Sequence, residues 1–144
     1  VLKGVNLTIE PGEFFTFLGP SGSGKSTLLC AIAGFGPTPG GKILIGGDDV
    51  TDLAPWTRNV SMMVKSYELW PHMTVRKNVA FRLEERKLPT REGDQRVDEA
   101  LNLVGLLEFA DRRPSPLSGG QQQRMFLARA LAQDADLYLS LIHI

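Results

Sequence analysis

The eight residues GPSGSGKS, positions 19–26, restrict this chain more than any other stretch. Glycines at 19, 22 and 24 let the backbone turn tightly enough to gather its N–H groups, and a lysine and a serine follow at fixed spacing. EFFTFL (13–18) reads as a strand before the turn, while Ser26 to Ala33 has helical spacing with Gly34 as its stop. A glycine-rich turn from strand to helix places bare N–H groups at the positive end of a helix dipole, which is where a phosphate binds.

At that spacing Lys25 reaches β- and γ-phosphates as a point charge, and the Ser26 hydroxyl is placed to ligate Mg²⁺. A flexible Gly/Ser turn with no ligand would explain neither the lysine nor its position. Gly19, Pro20, Ser21, Gly22, Ser23, Gly24, Lys25, Ser26 and Thr27 are therefore the expected nucleotide-binding set. Within it, Lys25 is the candidate catalytic group and Ser26 the candidate metal ligand.

Composition narrows the class further. The chain has 144 residues, 42% of them hydrophobic, and no long apolar run, so one soluble globular domain is expected. Sixteen basic residues balance sixteen acidic ones, which gives no electrostatic argument for a nucleic-acid partner. A single cysteine, Cys30, excludes an internal disulfide framework and reads as a small buried apolar residue. The opening VLKGVNLTIEPGEF reads as a strand running into a Pro-Gly turn, with no basic and apolar leader.

Further along, Val5–Ile9 alternates like a half-buried strand, KILIGG (42–47) reads as strand then turn, and VSMMV (60–64) as a short apolar strand. The period then changes. NVAFRLEERK and REGDQRVDEALNLVGLLEFA predict two amphipathic helices broken at Leu88-Pro89-Thr90, and the prolines of DRRPSPL exclude a helix there. SGGQQQRMFLARALAQ (118–133) opens with a capping box, Ser118 to Gln121, and ADLYL returns to strand. Strands, a helical insert and a strand again imply an α/β core with a small helical subdomain.

LSGGQ (117–121) is the second glycine-rich element. Ser118 caps a helix whose first residues are Gly119 and Gly120, each weakening the helix by about 1 kcal/mol relative to alanine. That cost makes sense where a phosphate must approach the backbone closely. Together, GPSGSGKST and LSGGQQQR resemble the nucleotide-binding subunit of ABC transporters, over most of the chain from Val1 to about Leu139.

The resemblance implies a P-loop NTPase core with a mixed sheet and a helical subdomain, incomplete at both ends. It divides 1–144 into a core with the phosphate loop (1–78), a helical subdomain (79–116) and the signature helix with the return to the core (117–139). It further implies ATP and Mg²⁺ as cofactors and a second ATPase subunit as a head-to-tail partner. In that pairing Leu117, Ser118, Gly119, Gly120 and Gln121 contact ATP held on the other copy. SYELWPHMTVRKNVAF (66–81) is similar to the segment of ABC importers that meets the membrane permease, which makes Trp70, Pro71, His72 and Met73 the candidate contact. A packed aromatic loop is the alternative for the same residues, and His72 has no partner at metal spacing. AGFGPTPGGKILIGGDDVT with PHMTV looks most like importers of polyamines, ferric iron or aminoethylphosphonate, served by a solute-binding protein and lying at the cytoplasmic face of a bacterial inner membrane.

Two positions depart from that family. Alignment places Lys65 where the family has a glutamine that helps ligate Mg²⁺; lysine has three donors and no acceptor, so weakened hydrolysis with retained binding is expected. Leu141 and Ile142 stand where an Asp and a water-polarising Glu belong, and His143 comes too early for the switch histidine. LSLIHI also reads as the translation of CTG TCT CTT ATA CAC ATC, which resembles a transposase adapter, so 139–144 is expected to be a non-native tail. On this reading the parent hydrolyses ATP to power an importer and the present stretch does not turn over. The alternatives are a non-catalytic protein that dimerises on ATP and an ABC ATPase working in repair or translation, against which the PHMTV region stands.

Overall fold

A computed structural model describes residues 2–64 and 69–141, which fall into two compact units, Val1–Arg58 and Asn59–Ile144. In the first, helix α1 (Lys25–Ala33) follows the glycine-rich loop, and strands β1 (Leu44–Ile45) and β2 (Asp48–Asp49) form an antiparallel hairpin. Gly46 and Gly47 turn it, both at positive φ. α1 ends as its sequence demands: Gly34, at φ 86°, donates its N–H to Ala31 O while Phe35 donates to Cys30 O. This is the paired closure of a Schellman turn.

Arg58 organises the rest of this unit. Its side chain is buried and donates to the carbonyls of Ala31 (2.9 Å), Ile32 (2.8 Å), Leu53 (2.9 Å) and Thr51 (2.9 Å). A cation thus satisfies the orphan carbonyls at the C-terminus of α1, where the helix dipole favours it. The approach is close enough that a Cβ on Gly34 would stand 2.9 Å from Arg58 Nε and 3.2 Å from Pro55 Cα. Thr51 pins the hairpin by accepting from Ile43 N–H and donating to Asp49 Oδ1 (2.6 Å); its hydroxyl and its N–H, both donating to that oxygen, hold the Asp49 carboxyl below the usual carboxylate range.

The strands expected at Val5–Ile9 and 13–18 carry no ladder among the described residues. Their Pro11-Gly12 turn is present, with Glu13 N–H donating to Glu10 O. A strand persists only where a neighbouring edge receives its N–H and C=O groups, and the two-residue hairpin offers none. The apolar side chains that such strands would bury stand open, Phe14 at 90% and Leu18 at 91% exposure.

In the second unit, β3 (Val60–Met63) pairs in parallel with β4 (Leu137–Ser140), in register Val60 to Leu137 through Met63 to Ser140. Parallel neighbours need a long crossover, and helices α2 (Val75–Glu85), α3 (Thr90–Leu103) and α4 (Gly119–Leu131) supply it. Leu141 N–H extends the pairing by donating to Met63 O.

The helices close over one apolar core in which Val75, Val79, Leu101, Leu106 and Met125 are fully buried. Each such side chain contributes about 1.5–3 kcal/mol. α2 begins three residues before the expected Asn78, because Thr74 caps it by accepting from Lys77 N–H and the 110–112 turn accepts from Val75 and Arg76. α3 stops at Leu103 instead of running to Ala110, because Gly105 takes φ 66° and the chain re-forms only as a 3₁₀ turn, Leu107–Phe109. Residues 111–117 are irregular, as their prolines require. Among the described residues no helix is long and apolar enough to cross a membrane.

Candidate nucleotide-binding site

Lys25 opens α1 and folds its side chain back over the loop. Its Nζ donates to Gly19 O (2.7 Å), Pro20 O (2.8 Å) and Ser23 Oγ (3.0 Å). All three are neutral oxygens, so the ammonium keeps its charge for an incoming anion. Gly24, the residue before the helix, sits at φ 91°, and Gly22 at φ 83°, conformations that L side chains rarely adopt. Gly19 is confined differently: a Cβ there would meet Ser23 Oγ at 3.1 Å, inside the ring of atoms that Lys25 draws together.

The start of α1 has no side-chain cap and no acidic residue in its first turn. Its orphan N–H donors have no internal anion to satisfy them, whereas α2 and α4 are both capped by hydroxyls. An uncapped helix start, left-handed glycines and an uncompensated ammonium fit a phosphate group. Pro20, Ser21, Gly22 and Ser23 form the exposed rim, and Ser26 and Thr27 are exposed on the first turn. For a cation the protein offers the Ser26 hydroxyl, and among the described residues no cluster of three or more His, Cys, Asp or Glu accompanies it. That donor set fits a Mg²⁺ held mainly by phosphate oxygens of the nucleotide.

The other candidate element is the start of α4. Ser118 Oγ accepts from Gln121 N–H (3.3 Å) and Gln121 Oε1 accepts from Ser118 N–H (2.8 Å), the reciprocal capping box that the sequence predicts. Gly119 and Gly120 are exposed, and nothing lies within 4 Å of where their Cβ atoms would stand. Leu117 is buried in the helical core, so it anchors the helix start from below. Gln121 is committed to the box through its carbonyl oxygen.

The Trp70–Met73 turn is packed more than its sequence shows. Trp70 is half-buried and stacks on Phe81 with centroids 4.3 Å apart, while Pro71 and His72 are exposed. Buried Asn78 holds the turn: its Oδ1 accepts from Trp70 N–H (3.0 Å), and its Nδ2 donates to Trp70 O, Met73 O and Thr74 O. Arg129 of α4 lies over the Trp70 ring, 4.4 Å from its centroid. Sequence reading missed Arg58, Asn78 and Arg129. Lys65, Ile142 and His143 lie outside the described residues.

The ABC transporter family profile matches residues 2–140. The chain belongs to the ABC transporter family. It is 53% identical, over 92% of its length, to the putative 2-aminoethylphosphonate import ATP-binding protein PhnT of Salmonella typhimurium strain LT2, covering 36% of that protein. It is 51% identical, over 94% of its length, to the putrescine transport ATP-binding protein PotG of Escherichia coli K12, covering 36% of it. With the spermidine/putrescine import ATP-binding protein PotA of Mannheimia succiniciproducens it shares 51% identity over 96% of the chain and 37% of that protein. The chain thus spans about a third of the length of these relatives.

Among solved structures it resembles the ATP-binding cassette MJ0796, in a dimeric post-hydrolysis state bound to ADP and Pi, with a TM-score of 0.79 and 35% identity. The match covers 96% of this chain and 64% of that one. The fold is the α/β fold of this ABC ATPase.

Proposed function

We propose that this chain is the ATP-binding part of an ABC importer ATPase, carrying the phosphate loop and the signature helix start. The observation that carries the reading is the Lys25 ammonium, held among three neutral oxygens at an uncapped helix start. Gly19–Thr27 would hold the triphosphate, Lys25 drawing charge from its outer phosphates and Ser26 contributing its hydroxyl to Mg²⁺. Gly119 and Gly120, with Ser118 and Gln121, would meet the outer phosphate of ATP bound to a partner copy. When bound, Mg²⁺ supplies charge neutralisation at the phosphates.

The relatives' names favour a polyamine or phosphonate as the solute. The solute would be chosen by a solute-binding protein and permease subunits, with this subunit at the cytoplasmic face of the inner membrane. Pro71 and His72 are the exposed residues offered to the permease. Hydrolysis by this stretch should be weak or absent, because Lys65 offers no acceptor to a cation and Leu141 and Ile142 carry no carboxylate. Those same residues favour a second reading, ATP-dependent dimerisation without turnover.

Titration of the chain with ATP and Mg²⁺ by calorimetry tests the proposal. Saturable binding is expected, weakened at least about tenfold in Lys25→Met, the magnitude of a lost charge-assisted contact. Equal affinity in the two proteins would refute the assignment. Phosphate release then separates the readings: turnover in a protein with Gln at 65 and an Asp-Glu pair at 141–142, with none in the present chain, favours the importer ATPase.

A further inference from the structure

Asn78 and Arg129 stand between two parts of the second unit that the functional reading treats separately, the Trp70–Met73 turn and α4. Arg129 Nε donates to Asn78 O (3.0 Å) and its terminal nitrogen donates to Asn78 Oδ1 (3.1 Å). Its guanidinium is flanked by two aromatic rings, Trp70 at 4.4 Å and Phe126 at 4.8 Å from the centroids. Asn78 in turn holds three carbonyls and one N–H of the 70–74 segment. The turn is therefore bound to α4 through a buried amide and a stacked cation.

We infer that Asn78 and Arg129 are positioning residues that latch the Trp70–Met73 turn to α4, so that the turn and the glycine start of that helix move as one body. The helix is the rigid element. Arg129 lies about three turns from Ser118; Met125 and Ala128 fix the intervening face in the core, and Leu117 fixes the residue before the cap. A planar guanidinium suits the place because it can stack on both rings while its edge donates to two oxygens of one residue. Lysine could keep the charge but not this geometry. That the body carries a signal between a permease at Pro71-His72 and a phosphate at Gly119-Gly120 rests on the proposed function. The latch itself does not.

Hydrogen exchange of the 144-residue chain, read at the Gln121 and Gln122 amides, tests the latch without nucleotide or partner. Pro71→Gly loosens the turn. With Arg129 present it should lower protection at 121–122 at least about tenfold, the worth of a charge-assisted hydrogen bond, while Val97 and Leu101 in α3 stay unchanged. In an Arg129→Lys background the same loosening should leave 121–122 unmoved. An equal effect in both backgrounds, no effect in either, or a parallel loss in α3 would overturn the latch, the last because it marks a general loss of stability. Failure here leaves the ATP titration of Lys25→Met untouched, so the two readings fail separately.

Discussion

Lys25 and Arg58 are both cations that donate to backbone carbonyls, and they do opposite things with their charge. Arg58 is buried and fully engaged by four carbonyls, so its role is internal. Arg58→Met would take this donor from the Ile32, Leu53 and Thr51 carbonyls and leave Ala31 O only its bond from Gly34 N–H, and denaturant unfolding should show a loss of about 3 kcal/mol. Lys25 donates to three neutral oxygens, so its loss should be felt in ligand affinity and little in folding. Asp49 shows a third use of charge. Its Thr51 bonds lower its carboxyl from the ordinary 3.8, so they stabilise the hairpin above that pH and the contribution fades as pH falls below it. In Thr51→Val that acid dependence should shrink to the part carried by the Thr51 N–H and Lys42, as NMR titration of the hairpin amides would read.

Among the elements, α4 combines a strong cap with weak helix formers. Ser118→Ala removes the box and should cost about 1 kcal/mol. Gly119→Ala with Gly120→Ala should do the reverse, stabilising the helix by up to about 1 kcal/mol each, since both added methyls meet open space. If the glycines serve a partner's nucleotide, this more stable variant should lose ATP-dependent dimerisation, as light scattering would measure. Stability gained together with dimerisation kept would remove the reason for glycine there. The box and the glycine-rich turn into α1 were legible in the sequence because each signal lies within a few consecutive residues. Arg58, Asn78 and Arg129 were not, since their partners stand up to 51 positions away and an arginine in a list of residues looks like any solvated charge. The strands at 5–9 and 13–18 failed for a related reason: alternation marks a residue pattern, and only a neighbouring edge makes it a strand.

At the scale of the molecule, most of the ordered core belongs to the helices of the second unit. Leu101, fully buried there, should cost about 2–5 kcal/mol as alanine, with the unfolding midpoint falling accordingly. The broad class, an α/β chain with a helical insert, followed from the change of period near Val79, whereas the early stop of α3 hung on the positive φ of Gly105. The parallel join of Val60–Met63 to Leu137–Ser140 has a further consequence for time. Among the described residues every helix of the unit lies between those two strands in sequence. During synthesis α2, α3 and α4 leave the ribosome before the second strand exists, so the helices can collapse early while the first strand waits with an open edge. Closure of this pair is then a late step of assembly, and the waiting edge is the place where a growing chain is most exposed to wrong partners.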